Sequence, residues 1–283
     1  MKRARLVLTV LGLLAASHFS GARSQPRIDL LRPIYTVAGI PLSETPTVDN
    51  FDIKIQLSFA LPVIDDIAGS GVSVSLGYTQ ISLWNFFACS MPFYEHTFCP
   101  GIYARKEWDA GNGTRTLSGG FEHRSNGRDD AYSRSQNYLF ATYIREYGSG
   151  LRLKACLRPG FGLYGHVFTL DMPLVYTGFA DFGIDYEPKD FPLGFNLDVT
   201  PLYNKSIANV TAGITCRLSD NPIVPRLYLQ FHYGYDDALC DCMNVNGPFI
   251  NPDGYIPYLP GEPLAPRTFI RIGFRYSFHE YVF

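Results

Sequence analysis

The sequence has little charge and, after its first twenty residues, no long apolar run. Charged residues make up 18% of its 283 positions, and 24 Lys and Arg residues against 26 Asp and Glu residues give a net charge of −2. Because nucleic-acid-binding proteins usually carry a clear basic excess, this balance argues against that class. A bundle of transmembrane helices is also excluded, since each helix needs about 18 consecutive apolar residues.

Aromatic residues, in contrast, are abundant. The chain contains 21 Phe, 19 Tyr and 2 Trp residues, which together make up 15% of it, and apolar residues in total make up 46%. This composition argues against disorder. Frequent Gly and Pro residues, 26 and 20 in number, interrupt the chain and favour many short elements. We therefore expect a folded, all-β chain whose length suits one large domain or two ordinary ones.

The N-terminus has the three parts of an export signal. Basic residues among the first five precede an apolar run from Leu6 to Ala16, and Ala22-Arg23-Ser24 supplies small residues at the two positions that a signal peptidase reads. The apolar run is too short for a membrane anchor, which is the alternative. We predict a cleaved signal peptide at residues 1–24 and a mature chain that begins near Gln25.

Six cysteines in an exported chain permit disulfide bonds. Cys89 and Cys99 flank a Pro-containing segment and form the favoured pair. Cys156 and Cys216 either pair across the fold or stay free. The two cysteines of Cys240–Cys242 are too close together to favour a bond in an extended strand, and a single CxC motif is weak support for a metal site.

Alternation of apolar and polar residues runs through the mature chain. It is clearest from Phe51 to Leu61, from Val72 to Tyr78, from Leu151 to Leu157 and from Ile270 to Phe278. A period of two gives a β-strand one apolar face and one polar face. Such strands form either a soluble sandwich, with the apolar faces packed together, or a transmembrane barrel, with the apolar faces toward lipid.

Several features favour a transmembrane barrel over a sandwich. The strands are long, close to the roughly 9–11 residues that a tilted membrane strand needs. Their polar faces carry Arg, Lys, Asp and Gln, which suits a barrel interior, and the many Tyr and Phe residues suit aromatic girdles at the two membrane interfaces. The chain also ends on an aromatic residue, Phe283, with Tyr281 shortly before it.

Twelve strands are predicted, and an even number lets an antiparallel barrel close without an exposed edge. We expect residues 25–50 to form an N-terminal segment with a first short strand, and residues 51–283 to form the barrel domain. The irregular stretch from Asp236 to Pro266 is expected to be an extended loop outside the membrane. The strands are predicted near residues 33–40, 51–63, 72–84, 102–109, 115–125, 134–146, 150–158, 174–187, 191–203, 206–218, 225–235 and 267–281.

The residues that suggest chemistry lie between 121 and 137. His123 and Ser125 are two positions apart on a strand, so they share a face with their Cα atoms about 6.6 Å apart. Leu117 and Phe121 have the same parity, so this face is apolar, and in a barrel an apolar face is the lipid side. After a turn, Asn137 begins the returning strand about 4.8 Å away, which brings it near the His123 ring.

These three polar residues suit a Ser–His–Asn catalytic triad. Ser125 is the candidate nucleophile, His123 the general base, and Asn137 the residue that orients the ring. An Asn adds no negative charge to a surface that faces hydrocarbon, and polar groups on that surface cost free energy unless they have a use. The alternative is that His123 and Ser125 are two polar residues at a strand end, since His-x-Ser alone is weakly specific.

The segment resembles the signature of outer-membrane phospholipase A. That signature reads His-x-Ser-Asn-Gly-Arg-x-Asp-x-x-Ser-Arg-Ser-x-Asn, and every specified position is filled between His123 and Asn137. The resemblance covers most of the mature chain in the same order, and its other parts are Phe51–Pro62, Tyr78-Thr79-Gln80 with Trp84, Ser90-x-Pro92-Phe93 with Glu95, and Leu227–Tyr235.

The resemblance implies a 12-stranded barrel in the Gram-negative outer membrane that acts as a phospholipase A1 and A2. Such an enzyme hydrolyses the sn-1 and sn-2 acyl esters of glycerophospholipids and lysophospholipids, uses calcium (Ca2+), and is active as a homodimer. It also implies that His123, Ser125 and Asn137 form the triad. The rival interpretation is a non-catalytic outer-membrane barrel, such as a porin or structural protein, which keeps the motif without the activity.

The resemblance further implies which residues hold the ion and join the subunits. The calcium ligands would be the Ser133 side chain, the Arg128 main-chain carbonyl and Ser90 of the partner subunit, and Gln80 would lie at the dimer contact. Hydroxyl and carbonyl oxygens are the hard ligands that calcium prefers. One departure is Met91, which stands where the family commonly has a second Ser.

Overall fold

A computed structural model describes residues 28–48, 50–129, 133–164, 167–170, 173–203, 207–221, 223–235, 237, 239, 250–251, 254–255 and 266–276. The predicted signal peptide at residues 1–24, the Cys240–Cys242 pair and the chain end with Tyr281 and Phe283 lie outside these residues.

The described residues form sixteen β-strands and a π-helical turn at Pro173–Thr177. Within this part of the chain, no helix is long and apolar enough to cross a membrane. The strands are β1 (Ile34–Pro41), β2 (Asp52–Ile64), β3 (Val72–Trp84), β4 (Phe93–Asp109), β5 (Gly113–Ser125), β6 (Arg134–Tyr147), β7 (Leu151–Leu157), β8 (Gly160–Tyr164), β9 (Val167–Thr169), β10 (Ala180–Tyr186), β11 (Leu193–Pro201), β12 (Ala208–Cys216), β13 (Arg226–Gly234), β14 (Ile250–Asn251), β15 (Gly254–Tyr255) and β16 (Arg267–Tyr276).

Twelve of the strands close into one antiparallel barrel, which confirms the predicted fold class and strand number. Around the barrel the order is β1, β2, β3, β4, β5, β6, β7, β10, β11, β12, β13 and β16, and β16 pairs back with β1. β8 continues along β6 beyond β7, and β9 forms a hairpin with β8. Closure leaves the barrel ladder without an open edge, as a sheet surrounded by lipid requires.

Two strand boundaries differ from the prediction. β4 begins at Phe93 and not near residue 102, because the residues from 93 to 101 alternate without an apolar face and contain Pro100 and Gly101, which are usually strand breakers. β10 begins at Ala180 and not near residue 174, because Pro173–Thr177 forms the π-helical turn. The other predicted strands match observed strands to within a few residues, and the predicted end of the last strand, residues 277–281, lies outside the described residues.

Side chains alternate between a polar inner face and an apolar outer face. On β2, Lys54 and Gln56 point inward and are buried, whereas Leu57 and Phe59 point outward and are 49% and 44% exposed. A soluble protein buries its apolar face, so this arrangement is that of a barrel whose outer wall contacts lipid. The polar interior predicted from the Arg, Lys, Asp and Gln residues is therefore confirmed.

The connections at the two ends of the barrel overlap in length, but the longest ones, residues 158–179 and 235–266, lie at the same end. We call the two ends the short-turn end, with residues 65–71, 110–112, 148–150, 187–192 and 217–225, and the long-loop end, with residues 42–51, 85–92, 126–133, 158–179, 202–207 and 235–266. Outer-membrane barrels carry short turns on the periplasmic side and longer loops on the external side.

Within the loop predicted from Asp236 to Pro266, the described residue Asp237 lies inside the barrel mouth and not outside it. Asp237 is buried and accepts hydrogen bonds from Arg271 Nη2 at 2.7 Å and from Lys54 Nζ at 2.6 Å. Arg271 also contacts Asp52, with Nε 2.8 Å from Oδ1. Burial alone would raise the pKa of Asp237, but Arg271 and Lys54 hold that pKa well below its ordinary value. These contacts of Asp237 were not predicted, because its partners Arg271 and Lys54 are far from it in the sequence.

The favoured Cys89–Cys99 disulfide is wrong. Cys99 lies within β4 with its thiol buried on the inner face, whereas Cys89 is exposed in the loop 85–92. The prediction failed because β4 begins earlier than expected, which removes Cys99 from that loop. Cys156 and Cys216 are free as well, which was one of the two alternatives for them.

Candidate active site

His123 and Asn137 lie opposite each other on β5 and β6, as predicted from their spacing. His123 Nδ1 is 2.9 Å from Asn137 Oδ1, an ordinary hydrogen-bond distance. Because an amide oxygen only accepts, the ring carries its proton on Nδ1 and keeps a lone pair on Nε2. The structure thus joins the candidate base to its orienting residue in the tautomer that a general base needs.

Ser125 is the last residue of β5 and is half-buried on the same face as His123. It lies opposite Ser135 on β6 and Phe98 on β4. Among the described residues, its hydroxyl has no hydrogen-bond partner, so the contact to His123 is not closed. Such contacts are often long in enzymes without substrate.

The shared face is the outer wall, as the sequence parity predicts. Leu117 and Phe121, at the same parity on β5, are 52% and 40% exposed. The intervening residues Glu122 and Arg124 point into the lumen and are buried. The imidazole and the serine are therefore presented to the acyl-chain side of the barrel, near its long-loop end.

A row of aromatic rings ends beside this position, and the sequence prediction missed it. Phe93, His96 and Phe98 stack along β4 with ring centroids 5.4 Å and 5.7 Å apart, and Trp84 stacks on Phe93 at 5.2 Å. They were missed because residues 93–101 were not assigned to a strand. The strand places Phe98 directly beside Ser125 and gives it an apolar neighbour on the outer wall.

Gln80 lies on the outer wall of β3 within a chain of polar contacts. Its Oε1 accepts a hydrogen bond from Tyr78 Oη at 2.9 Å, and its Nε2 donates to Ser82 Oγ at 3.0 Å. Ser82 Oγ is in turn 2.9 Å from His96 Nδ1. Polar groups toward lipid are costly, and these contacts satisfy them within one subunit.

The predicted ion ligands Arg128 and Ser133 both lie in the loop 126–133 that follows Ser125. Asn126 closes this loop at its base: its Oδ1 accepts from Arg134 N at 2.9 Å and from Arg128 N at 3.4 Å. The buried Arg134 side chain donates from Nη1 to Ser133 O at 2.8 Å. Asn126 and Arg134 therefore shape the backbone on which both candidate ligands lie.

The third candidate ligand, Ser90, lies in the loop 85–92 at the same end of the barrel. It is exposed, and both Ser90 and Met91 have positive φ angles, 64° and 43°. Trp84 Nε1 fixes the turn by donating to Met91 O at 2.8 Å. The structure does not bring Ser90 into contact with Arg128 or Ser133 of the same chain among the contacts that it describes.

The chemistry of these donors fits calcium. A hydroxyl and a main-chain carbonyl are hard oxygen ligands, and calcium accepts several of them together with water. The described residues contain no cluster of three or more His, Cys, Asp and Glu side chains that could hold a metal ion, so the candidate site consists of hydroxyl and carbonyl oxygens.

Comparison with known proteins supports a specific family. The family model described as Phospholipase A1 matches residues 37–246. The phospholipase A1 of Escherichia coli K12 is 29% identical over 197 residues, which cover 67% of this chain and 64% of that protein. A putative phospholipase A1 of Neisseria meningitidis serogroup B is 32% identical over 167 residues, 54% of this chain and 43% of that protein. The chain thus matches less than two thirds of the length of these relatives.

Solved structures share the fold. The outer membrane phospholipase A of Escherichia coli superposes with a TM-score of 0.69 at 19% identity, over 88% of this chain and 93% of that one. The dimer of the Salmonella typhi outer membrane phospholipase with bound calcium gives the same TM-score and identity over 95% of this chain and 96% of that one.

Proposed function

Because the chain belongs to the phospholipase A1 family, we propose that it hydrolyses acyl esters of phospholipids in the bacterial outer membrane. The substrates are glycerophospholipids, cleaved at sn-1 and sn-2, and lysophospholipids. The observation that carries the proposal is the 2.9 Å contact between His123 Nδ1 and Asn137 Oδ1, on the same outer face as Ser125. A phospholipid in the membrane reaches this face without leaving the bilayer.

In the proposed reaction, Ser125 Oγ attacks the ester carbonyl while His123 Nε2 accepts the hydroxyl proton. The bond from the carbonyl carbon to the glycerol oxygen then breaks, and His123 returns the proton to that oxygen. Water releases the fatty acid from Ser125 by the same steps, with His123 again as the base. Asn137 holds the ring throughout and accepts from Nδ1 while the imidazole is charged.

Calcium is the proposed cofactor, and Ser133, the Arg128 carbonyl and Ser90 of the partner subunit are its proposed ligands. A bound cation stabilises negative charge that develops on the carbonyl oxygen, where a β-sheet has few backbone donors to spare. Because Ser90 is exposed and makes no described contact with Arg128 or Ser133 of its own chain, we propose that the active form is a homodimer, with Gln80 at the contact. The calcium-bound dimer from Salmonella typhi supports both points.

A non-catalytic barrel is the second candidate. The polar lumen contains a cavity of about 300 Å³, lined by charged residues such as Lys54, Arg152 and Asp198, which would suit a pore. Single-channel conductance without ester hydrolysis would favour this candidate.

The proposed activity is tested with protein refolded in detergent. The wild type should release fatty acid in calcium and stop when EDTA is added, and Ser125→Ala should lose the activity while remaining folded. Fatty acid release that survives Ser125→Ala would reject Ser125 as the nucleophile.

We also propose that residues 1–24 are removed on export. Sequencing of the mature N-terminus tests this proposal, and we expect a start near Gln25.

A further inference from the structure

One ion pair connects the inner face of β4 to the loop that carries the proposed calcium ligands. Glu95 Oε2 is 3.1 Å from Arg128 Nη2, and the Glu95 side chain is only 1% exposed. The Arg128 guanidinium also donates to the main-chain oxygen of Tyr94. A buried carboxylate therefore faces the side chain of the residue whose carbonyl is a candidate ligand.

Arg128 is an unfavourable residue beside a cation unless its charge is neutralised. Its main chain offers the carbonyl oxygen, while its side chain carries a permanent positive charge a few bonds away. A positive charge at that distance repels a divalent ion, and the repulsion is strong where little water screens it. The Glu95 carboxylate cancels this charge and keeps the guanidinium against β4.

We infer that Glu95 is a positioning residue for the calcium site, because it neutralises the Arg128 guanidinium beside the ion. This inference rests on the proposed function and adds to it a residue that touches neither substrate nor calcium. Glu95 acts through Arg128, so its removal weakens calcium binding while the triad remains intact.

Glu95→Gln tests the inference, because it removes the charge and keeps the size and hydrogen-bonding ability of the side chain. Terbium bound to the refolded protein is followed by its luminescence, sensitised by Trp84 at the end of β3, and calcium is titrated in competition. We expect the calcium dissociation constant to rise about tenfold, a typical coupling between interacting sites. Fatty acid release at saturating calcium should stay within about twofold of the wild type, since a tenfold change in affinity leaves the saturated rate unaffected.

Glu107→Gln is the matched control. Glu107 lies on the same strand near the short-turn end, where it pairs with Arg105. Its replacement removes a carboxylate from an arginine far from the loop 126–133, so calcium affinity should not change. Loss of affinity in this control as large as that in Glu95→Gln would overturn the inference.

A double variant distinguishes the effect of the unbalanced charge from a structural effect of replacing Glu95. In Glu95→Gln with Arg128→Met, the unpaired positive charge is gone while the Arg128 carbonyl remains. Calcium affinity should return to within about threefold of the wild type, because neutral groups of similar size often replace a buried ion pair without loss. Affinity as low as in Glu95→Gln alone would overturn the inference. If Glu95→Gln does not refold, the calcium affinity of the double variant is the test, and the inference requires it to lie within about threefold of the wild type.

The result also distinguishes this inference from the proposed function. A wild type that binds no calcium and releases no fatty acid contradicts both. A wild type with calcium-dependent activity, together with unchanged calcium affinity in Glu95→Gln, contradicts only the role of Glu95.

Discussion

Asn137→Ala removes the one contact within the proposed triad that the structure closes. The lost interaction is the 2.9 Å hydrogen bond from His123 Nδ1 to Asn137 Oδ1. A hydrogen bond to a group that becomes charged contributes about 1.5–3 kcal/mol, which corresponds to about 10–150-fold in rate. We expect kcat/KM for a short-chain phospholipid to fall within this range, and KM to change little, because Asn137 supports the ring and not the bound ester.

The assay is the initial rate of fatty acid release from mixed micelles at saturating calcium. Thr142→Ala is the matched control, since Thr142 lies on the same strand but is buried on the inner face. Folding is checked by the altered electrophoretic mobility of an unheated barrel. If folded Asn137→Ala retains activity within about twofold of the wild type, the His123 ring is held by something else, and the proposed role of Asn137 is wrong.

Three other predictions concern the loops, the mouth and the dimer contact. Gly127→Ala should lower stability and activity, because Gly127 has a φ of 69° and a Cβ there would lie 2.9 Å from a Phe98 ring atom; urea unfolding in detergent measures the loss, about 1–3 kcal/mol. Asp237→Asn should lower the free energy of unfolding by about 3–5 kcal/mol, because Lys54 loses its buried carboxylate partner and Arg271 loses one of its two, keeping Asp52. Because the pKa of Asp237 is lowered from 3.8, its contribution to the free energy of unfolding is complete above pH 3.8 and is lost as the pH falls further. The free energy of unfolding of the variant should therefore decrease less at acidic pH than that of the wild type. Gln80→Ala should reduce the dimer fraction in calcium, as sedimentation in density-matched detergent would report, whereas an unchanged fraction would remove Gln80 from the contact.

The barrel and the contact between His123 and Asn137 were predictable because both follow from local rules. Alternation with a period of two assigns each residue to a face, so the outward position of His123 and Ser125 follows from Leu117 and Phe121. Asn137 lies close to His123 because β5 and β6 are consecutive strands that form one antiparallel hairpin. These inferences need only neighbouring strands and the spacing between them.

The remaining features depend on contacts between residues that are far apart in the sequence. The start of β4 was missed because both of its faces carry polar groups near Glu95 and His96, and its Pro100 usually indicates a break. The Glu95–Arg128 and Asp237–Arg271 ion pairs join residues that are far apart in the sequence, and alternation does not reveal which charged residues meet. The incorrect disulfide at Cys99 followed directly from the strand boundary.

The central claim is that Ser125 is an activated nucleophile on the lipid-facing wall. Its most direct test is labelling with an apolar sulfonyl fluoride, in calcium and in EDTA, followed by mass mapping of the modified residue. The account predicts a single modified serine at position 125, formed in calcium and largely absent in EDTA. Modification at another serine, or none in a protein that still releases fatty acid, would contradict it.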